Sequence, residues 1–138
     1  MFTRKAAVTQ RGGYGVMLCA PDEYWDASPS DLEKMCNGCG SKKSGWMPDL
    51  VPDTMYGLDI KDACNAHDVV YAVGRTLADK EQGDREFLNN LLRLIEKAPS
   101  RAWLLIGPAL TMLRRRRALK YYEAVVAFGG PAFWSNKS

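Results

Sequence analysis

IKDACNAHDVVYAVGRTLADKEQGDREFLNNLLRLIEK, residues 60–97, carries two apolar patterns of helical period with a break at Gly74. In the first half, Ile60, Ala63, Cys64, His67, Val70 and Tyr71 recur at intervals of three and four, so they share one face of a helix spanning Ile60 to Val73. Asp59 suits its N-cap, with Asp62 three residues on, and Gly74 is a natural stop. The second half predicts a helix over Leu77 to Lys97, opened by a Thr76/Asp79 capping box and closed before Pro99. Its stripe is Phe87, Leu88, Leu91, Leu92 and Ile95, and three residues before Phe87 the same stripe holds Asp84. An ionised group on a core-facing stripe needs a partner. The three-residue link Gly74–Thr76 predicts antiparallel packing, with the helices crossing near Gly83, where a missing side chain permits close approach.

The first helix contains the only histidine of the chain, His67. A lone imidazole on an apolar face is commonly a hydrogen-bonded core residue. Here, however, two carboxylates are placed to serve it, Asp68 beside it and Asp84 on the next helix. A carboxylate on one ring nitrogen fixes the tautomer and leaves the other nitrogen free to take a proton near neutral pH. Asp68 points about a third of a turn away, a direction better suited to binding a cation beside the histidine. A second arrangement competes for the same residue. Cys36-x-x-Cys39 and Cys64-x-x-His67 form a Cys₃His set of tetrahedral zinc spacing. That set leaves Asp68, Tyr71 and Asp84 without a role.

HDVVY, residues 67–71, resembles the His-Asp-x-x-Tyr helix of the phospholipase A2 superfamily, and Asp84 in GDREFLNNLL resembles the aspartate on that family's second long helix. CNGCG, residues 36–40, is similar to its glycine-containing calcium loop. The likeness covers about Cys36 to Leu92 and is nearest the compact viral and bacterial forms, which lack dense disulfides. It implies a mainly helical fold with the site on two long antiparallel helices. It also implies His67 as general base toward a water attacking the sn-2 ester of a glycerophospholipid, with Asp84 holding the imidazole and Tyr71 bonding Asp84. Calcium would be the cofactor, held by the Asp68 carboxylate and the carbonyls of Cys36, Gly38 and Gly40. The Gly38 amide would stabilise the oxyanion. The stretch between Gly40 and His67 is longer than in most relatives, and leaves a second place for the loop around Gly45, with Asp49, Asp53 or Asp59 contributing. Two other outcomes stay open at this stage. One is a zinc-stabilised binding module whose basic helix contacts nucleic acid; the other is a catalytically silent scaffold of the same fold.

Outward from this core, 138 residues with 46% hydrophobic and 25% charged side chains suit one domain, 1–138. Residues 1 to 57 are rich in Gly, Pro, Asp and Ser and predict loops, a short hairpin near Tyr14 to Cys19, and a short helix over Asp31 to Met35 capped by Ser30. Trp103 to Phe128 predicts an apolar half and then a helix lined by Ala118, Tyr121, Tyr122, Val125 and Phe128, stopped at Gly129-Gly130-Pro131.

A net charge of +3 does not call for nucleic acid or membrane. Arg114 to Arg117 form a basic block, commonly a solvated helix face; its active reading is contact with phosphates, at about 1 kcal/mol per residue on an anionic lipid surface. Trp46, Trp103, Trp134 and Leu104-Leu105-Ile106 would then serve as an apolar collar for a membrane interface, or simply fill the core. The start of the chain lacks a secretory signal pattern, and the run Ala102 to Leu113 is too short to span a bilayer, so synthesis in the cytoplasm is expected, with virion association or non-classical secretion left open. Four cysteines in that setting argue mildly for metal or free thiols over a disulfide framework.

Overall fold

A computed structural model describes residues 2–8, 15–36, 54–98, 107–135 and 137. The architecture is mainly α, with two long antiparallel helices at its centre. Strands β1 (Phe2–Val8) and β2 (Gly15–Pro21) form an antiparallel hairpin in which Arg4 faces Cys19. Short helices α1 (Asp22–Asp26) and α2 (Pro29–Met35) follow, then the two-residue strands β3 (Thr54–Met55) and β4 (Leu58–Asp59). Helices α3 (Lys61–Val73), α4 (Leu77–Lys97), α5 (Gly107–Phe128) and α6 (Gly130–Trp134) complete the chain.

Helix α4 starts where the capping box places it. The Thr76 hydroxyl accepts from the Asp79 amide at 3.1 Å, and the Asp79 carboxylate accepts from the Thr76 amide at 3.0 Å. Helix α3 begins one residue later than expected. Ile60, not Asp59, sits at its N-cap, because Asp59 is drawn into β4; the Asp59 carboxylate still accepts from the Lys61 amide at 2.9 Å. Ser28 rather than Ser30 caps α2, accepting from the Asp31 amide, with Pro29 in the first turn where a missing N–H costs nothing.

The N-terminal hairpin is longer than the sequence suggested, and helix α1 was not anticipated. Nor was the β3–β4 hairpin, whose two turn residues, Tyr56 and Gly57, both have positive φ (49° and 80°) as a tight primed turn requires. At the other end, Gly129-Gly130-Pro131 stops α5 as expected, yet Pro131 also opens α6. Phe133 from α6 is fully buried.

The core joins β2, α3, α4 and α5: Val16 and Leu18 from the strand, Ala63 and Cys64 from α3, Phe87, Leu91, Leu94 and Ile95 from α4, and Ala118, Tyr121 and Val125 from α5. Of the expected α5 face, Tyr122 is half-buried and Phe128 is exposed. Helices α3 and α4 approach closely at Gly83, where an added Cβ would lie 2.5 Å from Val70 Cγ1. The crossing predicted there is therefore enforced by glycine.

Candidate active site

Antiparallel packing of α3 on α4 sets late residues of the first helix against early residues of the second. His67 and Tyr71, one turn apart, meet Asp84 and Lys80, one turn apart. His67 Nε2 lies 2.8 Å from Asp84 Oδ1, and the Tyr71 hydroxyl donates to the same oxygen at 2.9 Å. Lys80 Nζ donates to Asp84 Oδ2 at 2.7 Å and to the Val125 carbonyl of α5 at 3.1 Å. The carboxylate is 2% exposed and the imidazole 7%, so the pair lies almost wholly out of water.

Aromatic rings fix the imidazole plane. Tyr71 lies 4.2 Å and Phe87 4.7 Å from it, centroid to centroid. Phe133 of α6 meets the Tyr71 ring edge-on at 5.3 Å, and Lys137 donates to the Tyr71 carbonyl. With Nε2–H given to the carboxylate, the remaining lone pair is on Nδ1.

Burial alone pushes the Asp84 carboxyl up. The hydrogen bond and charge of His67, followed by the hydrogen bonds of Lys80 and Tyr71, outweigh it and hold the group below the ordinary range. The acid is thus an anion at neutral pH, as a group that orients an imidazole must be. Tyr71 is displaced upward, first by burial and then by the charge and hydrogen bond of Asp84, so its hydroxyl stays a donor.

Asp68 lies half-buried on α3, beside the His67 face. Cys36, at the end of α2, is held against the same helix, its thiol donating to the Asn65 carbonyl at 3.4 Å. Burial, then the negative charge of Asp68, pushes this thiol up to about 12, so it is neutral and offers no thiolate. Asp68 and Cys36 are therefore neighbours, and the chain leaving Cys36 starts beside the carboxylate expected to hold a cation.

Gly38 and Gly40 lie outside the described residues, as do the alternative loop around Gly45, Asp49 and Asp53 and the candidate interface residues Trp46, Trp103 and Leu104 to Ile106. Among the described residues, no group of three or more His, Cys, Asp and Glu is placed to hold a metal ion. A site built from backbone carbonyls and one carboxylate does not require such a group.

Cys64 is disulfide-bonded, whereas Cys19 and Cys36 are free. The cysteine count pointed toward metal or free thiols; among the described cysteines, Cys64 is instead oxidised. In this state Cys64 has no thiolate to give to a zinc ion, while Cys39 lies outside the described residues.

Three contributors to the network were not singled out in the sequence. Lys80 is one helical turn before Asp84, a spacing that signals an ion pair. The Val125 carbonyl and the packing of Phe133 are tertiary contacts between segments far apart in the chain. No pattern announced them.

The basic block divides. Arg114 donates to the Met55 and Tyr56 carbonyls, and Arg117 donates to the Tyr56 hydroxyl at 2.9 Å. Both hold the positive-φ turn of the β3–β4 hairpin, while Arg115 and Arg116 are exposed. No helix among the described residues is long and apolar enough to cross a membrane.

No protein-family model matches this chain, and no curated protein or solved structure matches it at a significant level.

Proposed function

We propose that the protein is a calcium-dependent hydrolase of phospholipase A2 type, cleaving the sn-2 ester of a glycerophospholipid at a membrane surface. The observation that carries this reading is the buried His67–Asp84 pair with the half-buried Tyr71, with bond lengths of 2.8 and 2.9 Å around a carboxylate held ionised. A core histidine needs one hydrogen-bond partner; it does not need an oriented anion braced by a tyrosine and a lysine.

In this mechanism Asp84 accepts from His67 Nε2–H and sets the tautomer. His67 Nδ1 then draws a proton from water as that water adds to the ester carbonyl, and the imidazolium formed is stabilised by Asp84. The same proton passes to the departing lysophospholipid oxygen as the tetrahedral intermediate collapses, so no covalent acyl-enzyme forms. Tyr71 keeps Asp84 Oδ1 aligned, and Phe87 and Tyr71 prevent the ring from turning.

The residues present fit calcium, a hard cation that takes six to eight oxygen ligands. Asp68 would supply carboxylate oxygens and the adjacent Cys36 a backbone carbonyl, with Gly38 and Gly40 completing the set. When bound, calcium supplies charge that polarises the ester carbonyl and pairs with the lipid phosphate.

Fatty acid released from phospholipid vesicles, followed with calorimetric calcium titration, tests the reading. Turnover is expected to require calcium, and Asp68→Ala is expected to abolish both turnover and calcium binding while leaving the helical circular dichroism intact. Absence of lipid hydrolysis by the calcium-loaded protein, or full activity in Asp68→Ala, contradicts it.

A further inference from the structure

The lysine on Asp84 is the feature that neither the sequence motif nor the proposed chemistry uses. Lys80 is 6% exposed, and an ammonium out of water is retained only where acceptors surround it. Its two acceptors come from different parts of the fold: Asp84 Oδ2 on its own helix and the Val125 carbonyl in the last turn of α5. That carbonyl also accepts from the Gly129 amide at 2.9 Å, so the end of α5 and its stop residue meet the lysine at one point. Lys80 further lies 5.7 Å from the Tyr71 ring centroid, over the residue that braces the other carboxylate oxygen.

We propose that Lys80 is a positioning residue for the His67–Asp84 pair, clamping Asp84 Oδ2 to the C-terminal end of α5 so that Oδ1 alone faces the imidazole. The consequence is a division of labour within one carboxylate. With Oδ2 fixed, the carboxylate cannot rotate about its Cβ–Cγ bond, and Oδ1 is held between His67 Nε2 and the Tyr71 hydroxyl. The end of α5 thereby becomes part of the site without touching substrate.

Gly129 marks the same junction from the other side. A Cβ there would collide with both the Tyr71 hydroxyl and the Val125 carbonyl, so close approach of α5 to the tyrosine depends on glycine. This inference rests on the hydrolase reading only for its kinetic arm; the clamp itself can be tested without any substrate.

Because the chain has one histidine, ¹⁵N-imidazole labelling gives one set of signals. In the wild type the Nε2–H proton is expected far downfield and protected from solvent exchange. Lys80→Met, which preserves chain length without charge, is expected to move that proton upfield, speed its exchange, and lower kcat by about tenfold or more with little change in KM, the signature of a displaced reacting group.

If Lys80→Met keeps the imidazole signal and kcat while losing only thermal stability, the lysine is structural and the proposal is overturned. If it does not fold, Gly129→Ala takes its place, since it leaves Lys80 intact while pushing α5 off Tyr71. The same upfield movement is then expected, and an unchanged signal in folded Gly129→Ala overturns the proposal. If the imidazole signal responds but neither protein hydrolyses lipid, the clamp stands and the hydrolase reading falls.

Discussion

Among the polar side chains that helix α4 buries, Asp84 at 2% exposure and Asn90 at 1% do opposite things. Asn90 Oδ1 accepts from the Cys19 amide at 2.9 Å, and its Nδ2 donates to the Cys19 carbonyl at 2.8 Å. It therefore completes the ladder on the free edge of β2, replacing a strand that the two-stranded hairpin lacks. The Asn90 amide serves the strand: two of its bonds end on the Cys19 backbone, and Oδ1 also accepts from Arg93 Nη1 at 2.7 Å. Around Asp84 the hydrogen bonds instead pass outward, through an imidazole whose second nitrogen makes no hydrogen bond among the described residues. Similar burial and the same helix thus yield a structural clamp in one place and, in the other, the oriented imidazole of the proposed base.

The sharpest way to break this contrast is to remove the base. His67→Ala is expected to lower kcat by about 10²- to 10⁴-fold, the usual worth of a general base, with helical content retained. Steady-state fatty-acid release checks it, and an activity loss of less than tenfold would place His67 with Asn90 as a core residue.

Next in size is Asp84→Asn. It leaves the buried Lys80 ammonium without its anion, and breaking a buried pair in this way costs about 3–5 kcal/mol. Urea unfolding should therefore show a larger loss here than for Asn90→Ala, expected at about 1–3 kcal/mol for orphaning the Cys19 backbone groups. Asn90→Ala should also retain its turnover per folded molecule. Equal losses of activity in the two variants would erase the distinction.

A smaller effect is the pH dependence. Asp84 titrates below its ordinary value of 3.8 in the folded chain. Its stabilisation is therefore fully present above that value and is lost as pH falls through the lower folded one. The stability gap between wild type and Asp84→Asn should accordingly narrow in urea titrations as the pH is taken below the ordinary value of 3.8, whereas the gap for Asn90→Ala should stay flat.

Much of the site was legible because it depends on local periodicity. The three- and four-residue spacing put His67 and Tyr71 on one face of α3. The stripe through Phe87 put Asp84 inward on α4, and Gly83 set the crossing. What could not be read comes from long-range contacts. Asp59 has the residue type and position of a helix N-cap, but pairing of β4 with β3 pulls it into a strand. Phe133 lies beyond the Gly129-Gly130-Pro131 stop, yet the space beside Gly74 and Tyr71 draws it into the core as α6. Lys80 was at a visible spacing from Asp84, but only the docking of α5 supplies the second acceptor that makes its burial tolerable. Arginines that suggested phosphate binding are half spent on the carbonyls and hydroxyl of a turn whose positive φ values the sequence did not announce.

The central proposed step is removal of a proton from water by the His67 imidazole at a lipid ester. Phospholipid labelled in its sn-2 acyl chain, presented in vesicles with calcium, reads this directly. Wild-type protein is expected to release the label as free fatty acid, with His67→Ala, and wild type with chelator, both silent. Release that persists in His67→Ala, or no release from the wild type, would contradict it.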